Sequence, residues 1–296
     1  MPLHRRLGGG PLLLAVCALA VACTSTASDQ GTPLVVDDFG DTVRLAAPAT
    51  RIVSLNPVTT EVLIAIGARE RLVGRTHWDL GAAEVPDVGD GMQPNVEAIL
   101  AQRPDLVVLY ESPANRGAVE RLRAAGITTI AFRTDRVADL ARVAPVLGAA
   151  VGDRPAGITV AAAVRATIDS VAALPRRERP VRAFWHIWDA PLLTIGRGSY
   201  LTELLEAAGG RSLFDDLAAP SPQVTLEEIV RRDPDVILAG PAGAEAIRRH
   251  PGWAAVRAVR EGRVLVVDTA LVGRPGVRMG EAAAHLRRLL DDVRVP

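Results

Sequence analysis

Two short clusters in this chain each combine an imidazole, an indole and a carboxylate: Thr76-His77-Trp78-Asp79 and His186-Ile187-Trp188-Asp189. Tyr110-Glu111 sets a phenol beside a third acid. Aromatic residues make up only 3% of the sequence, yet these segments hold two of four Trp, one of two Tyr and two of five His. Indole and phenol rings offer flat apolar faces with a polar edge, which suits a large flat ligand that stacks. Two His with two Asp would also satisfy a zinc ion, so a metal-dependent hydrolase is the minor alternative. For any single aromatic, a place in the core or at a sheet rim is an equally good reading. Trp185 is assigned to the core by strand alternation, and Trp253 to helix packing.

Other chemistry is excluded or unsupported. The chain has no Lys at all, so a Walker A lysine, a Schiff-base lysine and a Ser-x-x-Lys pair are impossible. His-Glu-x-x-His, Gly-x-Ser-x-Gly and Gly-x-Gly-x-x-Gly are absent as well. No catalytic residue, resident metal site or cofactor is assigned, and an enzyme is not expected.

The clusters fall at the carboxyl ends of predicted strands, Leu72–Arg75, Leu106–Leu109 and Val181–Ile187, where open parallel sheets collect ligands. The strands alternate with predicted helices that carry Glu61, Glu97, Glu203 and Glu227, the pattern of βα units and a parallel sheet. Two phrases recur in order. Thr60-Glu61-Val62-Leu63 returns as Thr202-Glu203-Leu204-Leu205, an offset of 142, and the segment from Glu97 to Val108 returns at Glu227 to Leu238, an offset of 130. Offsets so close indicate one duplicated unit with different loop lengths. The expected fold is α/β: two similar lobes with mainly parallel central sheets flanked by helices, joined by one long spanning helix. The assigned boundaries are an N-terminal lobe at 34–152, an interlobe helix at 153–175 and a C-terminal lobe at 176–296.

At 296 residues with 49% hydrophobic and 23% charged residues, the chain can bury two cores. Its start, His4-Arg5-Arg6, then an apolar run to Ala22 and Cys23, reads as a secretory signal at 1–22, followed by a tether at 23–33. Cys17 would leave with the signal, making Cys23 the sole thiol and a candidate for lipidation. Formal charge is zero; without Arg5 and Arg6 the remaining 32 basic residues face 34 acidic ones, net −2. That balance excludes a nucleic-acid partner, which needs an excess of positive charge.

Several ordered motifs carry a resemblance. They are Arg51-Ile52-Val53-Ser54-Leu55, Thr60-Glu61, Val73-Gly74, the run from Pro94 to Ile99, Arg103 to Val107, and Gly196 to Tyr200 before Glu203. Together with Ala20-Val21-Ala22-Cys23, which is similar to a lipobox, they resemble the substrate-binding lipoproteins of bacterial ABC importers for vitamin B12, ferric siderophores and haem. The resemblance covers nearly everything after residue 34. It implies an exported protein, lipid-anchored at Cys23 and facing the periplasm or exterior. It further implies a monomer that holds one ligand between two lobes and hands it to a dimeric permease, with Glu61 and Glu203 pairing to permease arginines. Each glutamate is expected in the first turn of its helix, where negative charge is favoured. The ligand-binding residues assigned are His77, Trp78, Tyr110, His186, Trp188 and Arg274. A corrinoid is the leading ligand. An anionic ferric siderophore, met by Arg75, Arg197, Arg274 and Arg278, and haem, met by an axial Tyr or His, remain open.

Overall fold

The computed structural model describes residues 32–79 and 81–293; the expected signal segment and Cys23 lie outside the described residues. The chain enters through an antiparallel hairpin of β1 (Thr32–Val36) and β2 (Thr42–Leu45). Asp37 organises its turn, accepting from the backbone N–H groups of Phe39 at 3.1 Å and Asp41 at 3.0 Å.

The first lobe then runs β3 (Ile52–Ser54), α1 (Pro57–Ala65), β4 (Leu72–Arg75), α2 (Val96–Ala101), β5 (Leu106–Tyr110), α3 (Arg116–Ala124) and β6 (Thr128–Phe132). The four strands are parallel, in the order β4-β3-β5-β6. Leu106 to Leu109 are fully buried, which is why β5 reads as an unbroken apolar run rather than an alternating one. α1 starts where it does because the Asn56 side chain accepts from Val58 N–H at 3.0 Å and Pro57 occupies the first helical position.

α4 (Asp139–Ala150) and α5 (Arg154–Ala172) follow. α4 was not anticipated, because Pro145 lies inside it and proline normally ends a helical pattern. α5 falls within the expected 153–175 stretch. It buries Gly157, Ala161, Val164, Ile168 and Val171, a spacing of three and four that forms one stripe. That stripe packs on α4 and α1 on one side and on the helices of the second lobe on the other. Gly157 lies directly on the Ala144 carbonyl, so the two axes approach closely only because no Cβ intervenes there.

The second lobe contains β7 (Val181–His186), β8 (Trp188–Asp189), β9 (Leu192–Leu193), α6 (Tyr200–Ala207), β10 (Gly210–Ser212), α7 (Leu226–Arg232), β11 (Val236–Ala239), α8 (Pro241–Arg249), α9 (Arg257–Arg260), β12 (Val264–Val266), α10 (Thr269–Val272) and α11 (Met279–Asp291). Its parallel sheet has the order β10-β7-β11-β12, the same topology as the first, while β8 and β9 form a separate antiparallel ribbon. In both sheets the first strand lies beside the second and the third, so β3 with β5 and β7 with β11 mark the switch points where clefts open. One continuous set of buried side chains runs from Val62 and Leu147 through Val164 and Ile168 to Leu204 and Leu286. Shared packing of this kind, not a flexible linker, joins the lobes.

Candidate functional site

Loops at the carboxyl ends of the two sheets form two pockets. In the first lobe, a cavity of about 270 Å³ is lined by Leu55, Asn56, Thr76, Trp78, Met92 and Tyr110, among others. In the second, a cavity of about 350 Å³ is lined by residues that include His186, Trp188, Asp189, Gly240 and Gly273. Arg274, next to Gly273, donates from Nη2 to the Trp78 carbonyl at 2.7 Å. A hydrogen bond from the second lobe thus reaches the backbone of a residue that lines the first lobe's pocket.

The turn that presents Trp78 is built by Asp79. Its carboxylate accepts from Thr76 N–H at 2.6 Å and Thr76 Oγ1 at 3.1 Å, and Thr76 Oγ1 accepts from Trp78 N–H at 3.3 Å. Asp79 is buried, and burial pushes its carboxyl above the usual range. Tied down beneath, the turn leaves the indole outside: Trp78 is 58% exposed, with the His77 ring 4.6 Å from it. In the second lobe, His186 is buried at the end of β7 and its Nε2 meets Asp189 Oδ1 at 2.9 Å. The intervening Trp188 is 61% exposed and its Nε1 donates to the Ala190 carbonyl at 3.2 Å. Trp185 and Trp253 are buried at 2% and 7%, as their assignments to core and packing required.

The two clusters are not copies of one another. Trp78 follows β4, the second strand of its sheet, whereas Trp188 follows β7, the first strand of the other. The duplication therefore does not relate them. Among the described residues no group of three or more His, Cys, Asp and Glu gathers as a metal site.

Tyr110 lines the first pocket, and its hydroxyl donates to both oxygens of Asp135 at 2.9 and 3.0 Å. Burial, with that carboxylate adding to it, pushes the phenol up to about 12. Tyr200 donates to the Val272 carbonyl at 2.7 Å, and burial raises its pKa too. All four arginines considered for the cleft mouth have protein partners: Arg75 on the carbonyls of Thr76 and Ala82, Arg197 on that of Asp216, Arg278 on Glu281 and Arg274 on Glu61.

Glu61 is the fifth residue of α1, past the first turn where it was expected; Glu203 does lie in the first turn of α6. Both are engaged by the opposite lobe. Glu61 Oε1 stands 3.4 Å from Arg274 Nη1, and its Oε2 lies against Gly276 with Val277 N–H donating to the carboxylate. That seat leaves the side chain 16% exposed, and desolvation raises its pKa although Arg274 opposes the shift. Glu203 Oε1 accepts from Arg136 Nε at 2.7 Å. Arg136 and Asp135, both on the β6–α4 connection, were missed, because no local pattern tells that this loop reaches the other lobe.

Over residues 52–271 the chain matches the periplasmic binding protein family. A cobalamin-binding protein of Halobacterium salinarum is 31% identical over 273 residues, 86% of this chain and 73% of that protein. YvrC of Bacillus subtilis, described as an uncharacterized ABC transporter substrate-binding lipoprotein, is 27% identical over 305 aligned positions, 96% of each chain. Among solved structures, the periplasmic heme-binding protein RhuT from Roseiflexus sp. RS-1, in apo form, has a TM-score of 0.73 at 25% identity, covering 83% of this chain and 99% of that one. With more than two thirds of its length inside the family match, this chain belongs to the periplasmic binding protein family.

Proposed function

We propose that this protein is the substrate-binding component of an ABC importer and that it captures a corrinoid between its two lobes. The carrying observation is the pair of exposed indoles, Trp78 and Trp188, one at the carboxyl end of each sheet and each lining its lobe's pocket, with Arg274 of the second lobe bonded to the Trp78 carbonyl. Stacking faces on both sides suit a broad, largely uncharged macrocycle. The cobalamin-binding relative supports the same class. An anionic siderophore is less well served, because each arginine near the cleft already has a protein partner.

Haem is the second reading, favoured by the likeness to RhuT. Ferric haem takes a phenolate or an imidazole as axial ligand. Both tyrosine hydroxyls are committed to internal acceptors and resist ionisation, which leaves His77 as the exposed candidate. Glu61 and Glu203 are read as the residues that dock the permease, and Cys23 as the lipid anchor that keeps the protein at the membrane.

Titrating tryptophan fluorescence with cyanocobalamin, a ferric siderophore and haemin tests the ligand. Tight one-to-one quenching by cyanocobalamin is expected, and tight binding of haemin or the siderophore alone overturns the corrinoid reading. Docking is tested separately, by loss of permease binding in Glu61→Gln with Glu203→Gln. Metabolic labelling with palmitate, abolished by Cys23→Ser, tests the anchor.

A further inference from the structure

The two interlobe ion pairs are related by the duplication. Glu61 and Glu203 correspond at an offset of 142. Arg136 and Arg274 each lie between the last strand of their own sheet, β6 or β12, and the long helix that follows, α4 or α11, with the short α10 intervening in the second lobe. Each reaches the glutamate of the other lobe: Arg274 to Glu61 and Arg136 to Glu203. The cleft is thus tied reciprocally by the same residues used twice. A chance surface pair would have no reason to recur on both duplicated glutamates with the lobes exchanged.

The seats are exclusive. The Glu61 carboxylate is enclosed by Arg274, Gly276 and the Val277 N–H, and Glu203 is 32% exposed with Arg136 on Oε1. A second arginine fork needs both oxygens of a carboxylate and a clear in-plane approach. Neither glutamate offers that while its own arginine is in place.

We propose that Arg136 and Arg274 act as internal stand-ins for the permease arginines. They hold Glu61 and Glu203 in the free protein and so set the width of the cleft mouth. Docking exchanges them for the permease's arginines, unties the lobes and frees the ligand. This rests on the reading of Glu61 and Glu203 as docking residues. The exchange costs little, since one arginine–carboxylate pair replaces another, while the interlobe constraint is lost. Arg274 adds a second consequence: once it leaves Glu61, its hold on the Trp78 carbonyl loosens as well. With the lobes joined by shared packing through α5, the freed motion is a small shear or rocking of the cleft rather than a wide hinge.

The test separates the tie from docking. Spin labels at Glu97→Cys and Glu227→Cys, exposed and equivalent positions on the two lobes, are introduced in the full-length exported protein carrying Cys23→Ser. Interlobe distances are read without permease or ligand. Arg136→Gln with Arg274→Gln is expected to lengthen and broaden the distribution. Gly276→Ala, which crowds the Glu61 seat without changing any charge, is expected to do the same through one tie. Unchanged distributions in both variants overturn the tie, whatever the permease does. Binding to the reconstituted permease is then measured. The arginine double variant is expected to bind about threefold to tenfold more tightly, because the internal competitor is gone; equal or weaker binding overturns the exchange. If Glu61→Gln with Glu203→Gln keeps full permease affinity, the docking reading itself fails, while the distance result still decides the tie.

Discussion

Arg274 Nη2 and the carbonyl oxygen of Trp78 stand 2.7 Å apart, joining a loop of the second lobe to the backbone of the first lobe's exposed indole. Trp78 is therefore positioned from both sides: Asp79 and Thr76 brace its turn from within the first lobe, and a guanidinium braces it from across the cleft. The orientation of this ring is a property of the two lobes together.

Removing that brace should be felt in binding. Arg274→Ala is expected to weaken cyanocobalamin binding by about fivefold, roughly the 1 kcal/mol of one partly exposed hydrogen bond to a charged group. Arg274→Lys should recover only part of the loss, because an ammonium cannot reach Glu61 and the Trp78 carbonyl in the geometry of a planar fork. Fluorescence titration of the three proteins checks both statements.

The exposed indoles should account for both affinity and signal. Each of Trp78→Ala and Trp188→Ala is expected to cost about 1–2 kcal/mol of ligand binding, and the double variant close to the sum, since the rings lie on different lobes. Trp185 and Trp253 are buried, so iodide should quench wild-type emission strongly and the double variant only weakly. Strong iodide quenching in the double variant would show that the buried pair is reachable and that the ligand signal has another source.

Tyr110 imposes a pH dependence with a defined sign. Its folded pKa, about 12, is raised above the ordinary 10 by burial and the Asp135 hydrogen bond. Below pH 10 both folded and unfolded chains keep the proton, and the stabilisation is complete. Between pH 10 and 12 the unfolded chain ionises first, so stability falls as pH rises. Tyr200, also raised by burial, acts in the same direction. Urea midpoints measured from pH 9 to 12 should decline, and Tyr110→Phe should make the decline shallower.

The clusters at the strand ends, the sheets and the two-lobed plan were legible because each is written locally. Leu106 to Leu109 is an apolar run, Asn56-Pro57 is a helix start, and the Glu61 and Glu203 phrases repeat almost side chain for side chain. What was not legible depends on how distant segments meet. Arg274 and Glu61 are 213 residues apart, and Arg136 and Glu203 are 67 apart; no local pattern says that a βα loop of one lobe reaches a helix of the other. Local pattern even misleads in one place. His77-Trp78-Asp79 and His186 to Asp189 look like duplicates, but they sit at strands that the duplication does not pair. α4 was hidden by Pro145, whose cost to the helix is offset by burial of Val143, Ala144, Val146 and Leu147 around it.

The joint between α4 and α5 is where the rigidity of the lobes can be tested directly. Gly157 rests on the Ala144 carbonyl and the Pro145 Cα, and Gly148 faces the backbone of Asp153 and Arg154 from the other helix. A Cβ at either glycine would meet backbone, which cannot rotate away as a side chain could, so the helices must separate or tilt. Gly157→Val, with a branched side chain at the tighter contact, is expected to lower stability by about 2–3 kcal/mol in urea denaturation. It should also broaden the interlobe distance distribution, because α5 packs on helices of both lobes. A variant that loses this stability yet keeps a wild-type distribution would mean that the Glu–Arg ties alone hold the cleft and that the helix is only a scaffold. A variant that loses neither would mean that the close approach of α4 and α5 contributes nothing to joining the lobes.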